Sequence, residues 1–167
     1  MVAAAMLLGY LKIWRMPNGG SVTLVMLPIF IFSWRWGAKS GLLAGLALGI
    51  LQLIFDIAYA MGWQAIFGDY VIAYTVLGLS GFFRKMKGGL YIGMIVGSFA
   101  RFLCHFWTGV TIWAEYMPDV FFGIKMTSAY LYSALYNGSY VFLSMLCCII
   151  VGALLKKPLE NRRIKAE

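Results

Sequence analysis

The sequence predicts an all-α integral membrane protein, a compact bundle of six transmembrane helices with both termini in the cytoplasm. Three observations lead there. The chain has 167 residues, of which 62% are hydrophobic and 12% charged, about half the charge that covers the surface of a soluble domain, and its mean hydropathy is +0.83. The apolar residues gather in runs separated by turn and charge signals, and backbone in lipid must satisfy its own hydrogen bonds, so runs too long for barrel strands are helices. The basic residues cluster at the ends of alternate runs, which points to membrane orientation rather than to nucleic acid. A span takes about 20 residues, so residues 1–167 make one membrane-embedded domain with no length left for a second.

The first helix is predicted over 1–14, apolar apart from Lys12. It ends in Trp14-Arg15 without a small-x-small cleavage site, so it reads as a retained helix and not as a signal peptide. Arg15-Met16-Pro17-Asn18-Gly19-Gly20 is a loop, and a second helix over 22–35 stops at Arg35-Trp36-Gly37-Ala38-Lys39. The third, 39–61, carries Gly41, Gly45 and Gly49 on one face, a spacing that lets a neighbouring helix approach closely. The fourth, 69–83, ends at Arg84-Lys85-Met86-Lys87-Gly88-Gly89; the fifth, 89–113, carries Arg101 and His105. A polar stretch with Glu115, Pro118, Asp119 and Lys125 precedes the sixth, 129–156. The first, second and fourth runs are short for a full span. Six helices put the termini on one side. The loops after helices two and four and the C-terminal tail hold ten of the fourteen basic residues, so that side is cytoplasmic. Cys104, Cys147 and Cys148 lie within apolar runs without metal-ligand spacing and read as small packing residues.

Ionisable residues within spans are costly and face the bundle interior. Asp56, Asp69, Arg101 and His105 qualify, and Arg101 and His105 share one helix face. Tyr59, Trp63, Tyr70 and Tyr74 lie near the third and fourth helices, Trp107, Trp113 and Tyr116 follow His105, and Tyr132, Tyr136 and Tyr140 flank Asn137. An interfacial aromatic belt accounts for tyrosines and tryptophans taken singly. It does not account for Asp, His and Asn among them. Aromatic faces with a carboxylate suit a flat, cationic ligand. Catalysis has little support: one histidine makes no haem or zinc site, no P-loop is present, and Ser80 and Ser139 lack a nucleophile context. No cofactor and no nucleic-acid partner is expected.

The run His105-Phe106-Trp107-Thr108-Gly109-Val110-Thr111-Ile112-Trp113, followed by Glu115-Tyr116, resembles the HFxxGxxxW signature of the thiamine-specific S component of energy-coupling-factor (ECF) vitamin transporters. Asp69-Tyr70 with Leu77-Gly78-Leu79-Ser80-Gly81-Phe82-Phe83-Arg84 resembles that family's acidic-Tyr start and LGxxGLFR end of helix four. Arg35-Trp36-Gly37 through Gly41-Leu42-Leu43-Ala44-Gly45 to Gly49-Ile50-Leu51, and Tyr132-Ser133-Ala134-Leu135-Tyr136-Asn137-Gly138, agree in order and spacing. The resemblance spans roughly residues 22–157, and its His–Trp and Tyr–Asn motifs are the specific part. It implies thiamine taken from outside, with the lipid bilayer, a separate transmembrane coupling subunit and two ATPase subunits as partners, in the cell membrane of a prokaryote. It also implies a pocket near the outer surface under the first loop, lined by Tyr59, Asp69, Tyr70, His105, Gly109, Trp113, Tyr132 and Asn137. In that pocket Trp113 would stack on a ring, Asp69 would neutralise the thiazolium, and Asn137 and Tyr132 would read the aminopyrimidine edge.

The sequence also departs from the pattern. The family's glutamate is Asp69 here, one methylene shorter. Its first-loop tryptophan would fall near Gly19 and a second near Pro118, and neither is present. Of the small-residue face on helix one that docks the coupling subunit, Ala3, Ala4 and Ala5 are the candidates. Other readings stay open: an S component for a thiamine precursor or another flat heterocyclic vitamin, a non-catalytic structural membrane subunit, or a small intramembrane enzyme using His105 with Asp69 or Glu115.

Overall fold

Helix accounts for 77% of the computed structural model, and the apolar runs form it as the all-α reading expects. The structure describes residues 1–56, 62–155 and 158. The six helices are α1 (Val2–Tyr10), α2 (Leu27–Trp36), α3 (Ala38–Phe55), α4 (Gly62–Phe83), α5 (Gly89–Thr111) and α6 (Ala129–Leu154). Among the described residues, α3 to α6 are long and apolar enough to cross a membrane. The other two have 9 and 10 residues and reach about 15 Å at 1.5 Å per residue, half of a hydrocarbon layer of about 30 Å.

The ends of the helices differ from the sequence reading where tertiary contacts compete with hydropathy. The first helix stops at Tyr10 instead of 14, because Ile13 N–H donates to the Val22 carbonyl at 2.9 Å and the chain turns into a small hairpin. In it, β1 (Trp14–Arg15) pairs antiparallel with β2 (Ser21–Val22). The second helix begins at Leu27 instead of 22, with Pro28 in its first turn, where the missing N–H costs nothing. Its approach is fixed by Thr23 N–H donating to Ser144 Oγ at 3.2 Å. The described part of α3 ends at Phe55, and the rest of the predicted 39–61 segment lies outside the described residues. The described part of the fourth helix already runs from Gly62, ahead of the predicted 69. Gly68 packs flat on Thr108 of α5, where a Cβ would come within 2.3 Å of Thr108 Cγ2, so the helix runs against its neighbour before the apolar run begins. The fifth helix ends at Thr111, and Trp113–Tyr116 forms a separate 3-10 turn. A second hairpin, β3 (Val120–Phe121) with β4 (Ile124–Lys125), occupies the predicted polar stretch. The last helix is capped by Ser128, whose side chain accepts from Leu131 N–H at 3.2 Å. The predicted end of this helix at 156 lies outside the described residues.

Register between the helices is set by glycines. A Cβ on Gly45 would lie 2.3 Å from the Tyr74 carbonyl oxygen, one on Gly49 2.6 Å from that of Tyr70, and one on Gly78 2.1 Å from the Leu42 amide. Rising positions on α3 thus meet falling positions on α4, so the two run antiparallel at near backbone contact. The same test pairs Gly68 with Thr108 and Ser80 with Gly93, and Gly109 with Ser133 and Met94 with Gly152, which makes α4–α5 and α5–α6 antiparallel as well. At the basic end, Gly37 (φ +88°) turns α2 into α3 and donates to the Ser33 carbonyl at 2.7 Å, a left-handed cap that favours glycine. The short α2 is the central rod: Leu27, Ile29, Phe30, Ile31 and Trp34 are buried and pack with Leu48, Leu77, Met94 and Cys148.

The fourth helix changes winding along its length. Ile66–Ile72 is π-helical and Val76–Phe83 is 3-10. A π-turn is rare and recurs at functional sites. This one carries Asp69 and Tyr70.

Candidate functional site

Seven of the eight sequence-predicted site residues, namely Asp69, Tyr70, His105, Gly109, Trp113, Tyr132 and Asn137, line one cavity of about 210 Å³ at the end of the bundle opposite the basic loops. The eighth, Tyr59, lies outside the described residues. Residues Gly19, Gly20 and Ser21 of the first loop also face the cavity, so it has a cover as well as walls.

Asp69 is the hub. Its Oδ1 accepts from Thr108 Oγ1 at 2.5 Å and its Oδ2 from Trp113 Nε1 at 3.1 Å. His105 Nδ1 lies 2.8 Å from Oδ1. Arg101 Nε can only donate, and it is 3.1 Å from His105 Nε2. Nε2 therefore accepts, and the ring proton sits on Nδ1, from where it donates to Asp69. The resulting chain, Arg101 to His105 to Asp69, holds the carboxylate as an acceptor and fixes both rings that flank it. Arg101 is also 4.2 Å above the Tyr74 ring, a cation–π contact that helps hold an arginine only 8% exposed.

These partners meet because of spacing on α5. His105 and Gly109 are four apart on one side, Thr108 lies a turn above His105, and the 3-10 turn after α5 brings Trp113 back over Asp69. Gly109 removes a side chain where α6 comes close: a Cβ there would sit 2.2 Å from Ser133 Oγ and 2.8 Å from Asn137 Nδ2. In the space this leaves, Ser133 Oγ donates to the Phe106 carbonyl at 2.8 Å. Asn137 Nδ2 donates to the His105 carbonyl at 3.0 Å and to Ser133 Oγ at 3.1 Å, while its Oδ1 accepts from Tyr140 at 3.1 Å. Both amide protons of Asn137 are therefore engaged within the protein, leaving a lone pair on Oδ1 for a ligand. Tyr70 donates to the Asp56 carbonyl at 3.4 Å and ties the π-turn to the end of α3. Tyr132 meets Phe121 edge-on at 5.5 Å.

The thiamine transporter protein family (Thia_YuaJ) has a family model that matches residues 1–163. The chain belongs to this family. It is 34% identical over 170 residues to the thiamine transporter ThiT of Bacillus subtilis (strain 168), covering 93% of this chain and 85% of the relative. It is 31% identical over 150 residues to ThiT of Lacticaseibacillus paracasei, covering 78% of this chain and 70% of that one. A solved structure of ThiT from Listeria monocytogenes superposes with a TM-score of 0.84 at 26% identity, over 97% of this chain and 92% of its own. The resemblance to thiamine-specific S components is thus a family membership, and the chain is a membrane protein of a prokaryotic transporter family.

The cavity also holds several residues that the motif left out of the site. Thr108 lies three residues after His105, a spacing that puts the two on neighbouring turns of one face. Tyr136 and Tyr140 repeat the four-residue spacing of Tyr132. Arg101 and Tyr74 stood out as an intramembrane cation and one of a group of aromatics, but nothing along the chain said that they stack. Gln52 and Thr23 also face the cavity, and neither has a signal in sequence. The Asp69 carboxylate also anchors Trp113 and His105, a contact between helices that the motif does not state.

Proposed function

We propose that this chain is the thiamine-binding S component of an ECF-type transporter. It takes thiamine from outside the cell into the cavity around Asp69 and works with a separate transmembrane coupling subunit and two ATPase subunits. It sits in the cell membrane as a multi-pass protein with both termini in the cytoplasm. The observation that carries this reading is the Asp69 hub: a carboxylate only 15% exposed, walled by aromatic rings and aligned by three donors. A permanent cation such as the thiazolium offsets the cost of holding that charge out of water, and the rings beside it add cation–π attraction. Trp113, pinned through its indole N–H, presents its ring as a fixed stacking face. Family membership supports thiamine as the cation. The basic residues at the opposite end support the orientation. The chain's motifs include no ATP-binding loop, which agrees with energy supplied by separate ATPase subunits.

The test is titration of thiamine into the detergent-purified protein, followed by intrinsic tryptophan fluorescence. Saturable quenching at submicromolar thiamine that is lost in Trp113→Ala supports the reading. A folded protein that gives no response to thiamine refutes it, and the same assay then passes to thiamine precursors.

A further inference from the structure

Tyr136 stands where the cavity wall meets its cover. It lies on α6, faces the cavity and is buried. Its hydroxyl accepts from Gly20 N–H at 3.0 Å and donates to the Pro17 carbonyl. Both partners belong to the tip of the β1–β2 hairpin, and the described hydrogen bonds that cross from residues 17–20 to the helices both end on this one oxygen. On either side of the tip the loop is held by packing, with Met16 and Val22 buried in one apolar cluster with Tyr132, Tyr136 and Tyr140, and by Met16 N–H on the Gly20 carbonyl at 2.7 Å; the polar tie of the tip itself to the helices is the Tyr136 hydroxyl.

Gly20 fits this contact closely. A Cβ there would lie 2.9 Å from Tyr136 Oη and 3.0 Å from the Tyr140 ring. Its backbone, at φ −60° and ψ 145°, suits any residue, so close approach and not dihedral freedom accounts for the glycine. The Tyr136 ring also packs on Phe121 of the second hairpin at 5.8 Å. One side chain therefore joins the loop over the cavity to the hairpin beside it, by hydrogen bonds on one side and ring packing on the other.

We propose that the Tyr136 hydroxyl is the latch that holds the first loop closed over the cavity, and so sets the rate at which ligand enters and leaves. This rests on the cavity being the thiamine site. A latch that closes the empty protein lowers the fraction able to admit ligand, and the same latch slows escape. Its loss speeds both steps and largely cancels in the equilibrium constant. A residue that merely touches the ligand acts differently, changing the off-rate alone.

The test compares wild type, Tyr136→Phe and Gly20→Ala by stopped-flow tryptophan fluorescence with thiamine. Tyr136→Phe keeps the ring packing and removes the latch; Gly20→Ala leaves α6 untouched and pushes the loop away. Both variants are expected to raise the association and dissociation rate constants by about tenfold, with the dissociation constant held within about threefold. Amide hydrogen exchange on ligand-free protein is expected to quicken over residues 16–22 in both variants, with α5 and α6 unchanged, which also certifies the fold. Rates within about twofold of wild type, or a rise in the off-rate alone, overturn the proposal. So does unchanged exchange over 16–22. A wild-type protein that fails to bind thiamine sinks the functional reading instead, and the exchange comparison, which needs no ligand, still decides whether Tyr136 holds the loop.

Discussion

Replacing Asp69 with Asn removes a charge while keeping the shape of the side chain, and its effect on thiamine binding can be worked from the geometry. The carboxylate receives Thr108 and His105 on Oδ1 and Trp113 on Oδ2. An amide offers one acceptor oxygen. Placed toward Thr108 and His105, that oxygen leaves the Trp113 N–H facing an NH2 group; turned around, it leaves the other two without an acceptor. A unit charge pair about 4 Å apart is worth about 4 kcal/mol at an effective dielectric of 20, and desolvation of the carboxylate cancels part of that. The net expectation is a loss of about 2–3 kcal/mol, a rise of roughly 30- to 150-fold in the dissociation constant. Isothermal titration calorimetry on the purified variant measures it. Asp69→Glu, which keeps the charge, should stay within about tenfold of wild type. A neutral thiazole analogue in place of thiamine should make wild type and Asp69→Asn nearly alike, giving a coupling of about 2 kcal/mol in the double cycle. Binding of thiamine by Asp69→Asn within about threefold of wild type would show that Asp69 does not face the cation, and the charge argument would fall with it.

Two further substitutions test the packing that builds the site. Gly109→Ala places a methyl 2.2 Å from Ser133 Oγ and 2.8 Å from Asn137 Nδ2. It should part α5 from α6, weaken thiamine binding at least about tenfold and lower thermal stability by about 1–3 kcal/mol; titration and a thermal melt in detergent measure the two. Gly45→Ala sets a methyl 2.3 Å from the Tyr74 carbonyl, a backbone atom that cannot swing aside. A loss of about 1–3 kcal/mol is expected in a denaturant titration, and an unchanged midpoint would contradict the α3–α4 register described above.

What could be read along the chain is what depends on one helix at a time. Hydropathy and charge gave the membrane class and the apolar runs, because a lipid environment demands both from every span. The face shared by His105 and Gly109 follows from four-residue spacing, as does that of Tyr132, Tyr136 and Tyr140. The family motif named seven of the cavity residues that the structure describes. What tertiary structure decided depends on two helices at once. That Asp69 meets His105 and Trp113 follows from the α4–α5 register set by Gly68 against Thr108 and Gly93 against Ser80, and from the π-turn that carries the carboxylate. Neither leaves a periodic trace. The two hairpins have strands of two residues each, too short for an alternating pattern. Their positions come from pairing and from rings on α6. The first helix ends early because residues 13–22 pair across the cavity mouth: hydropathy permits a longer helix there, and the contacts of the folded chain choose a cover instead.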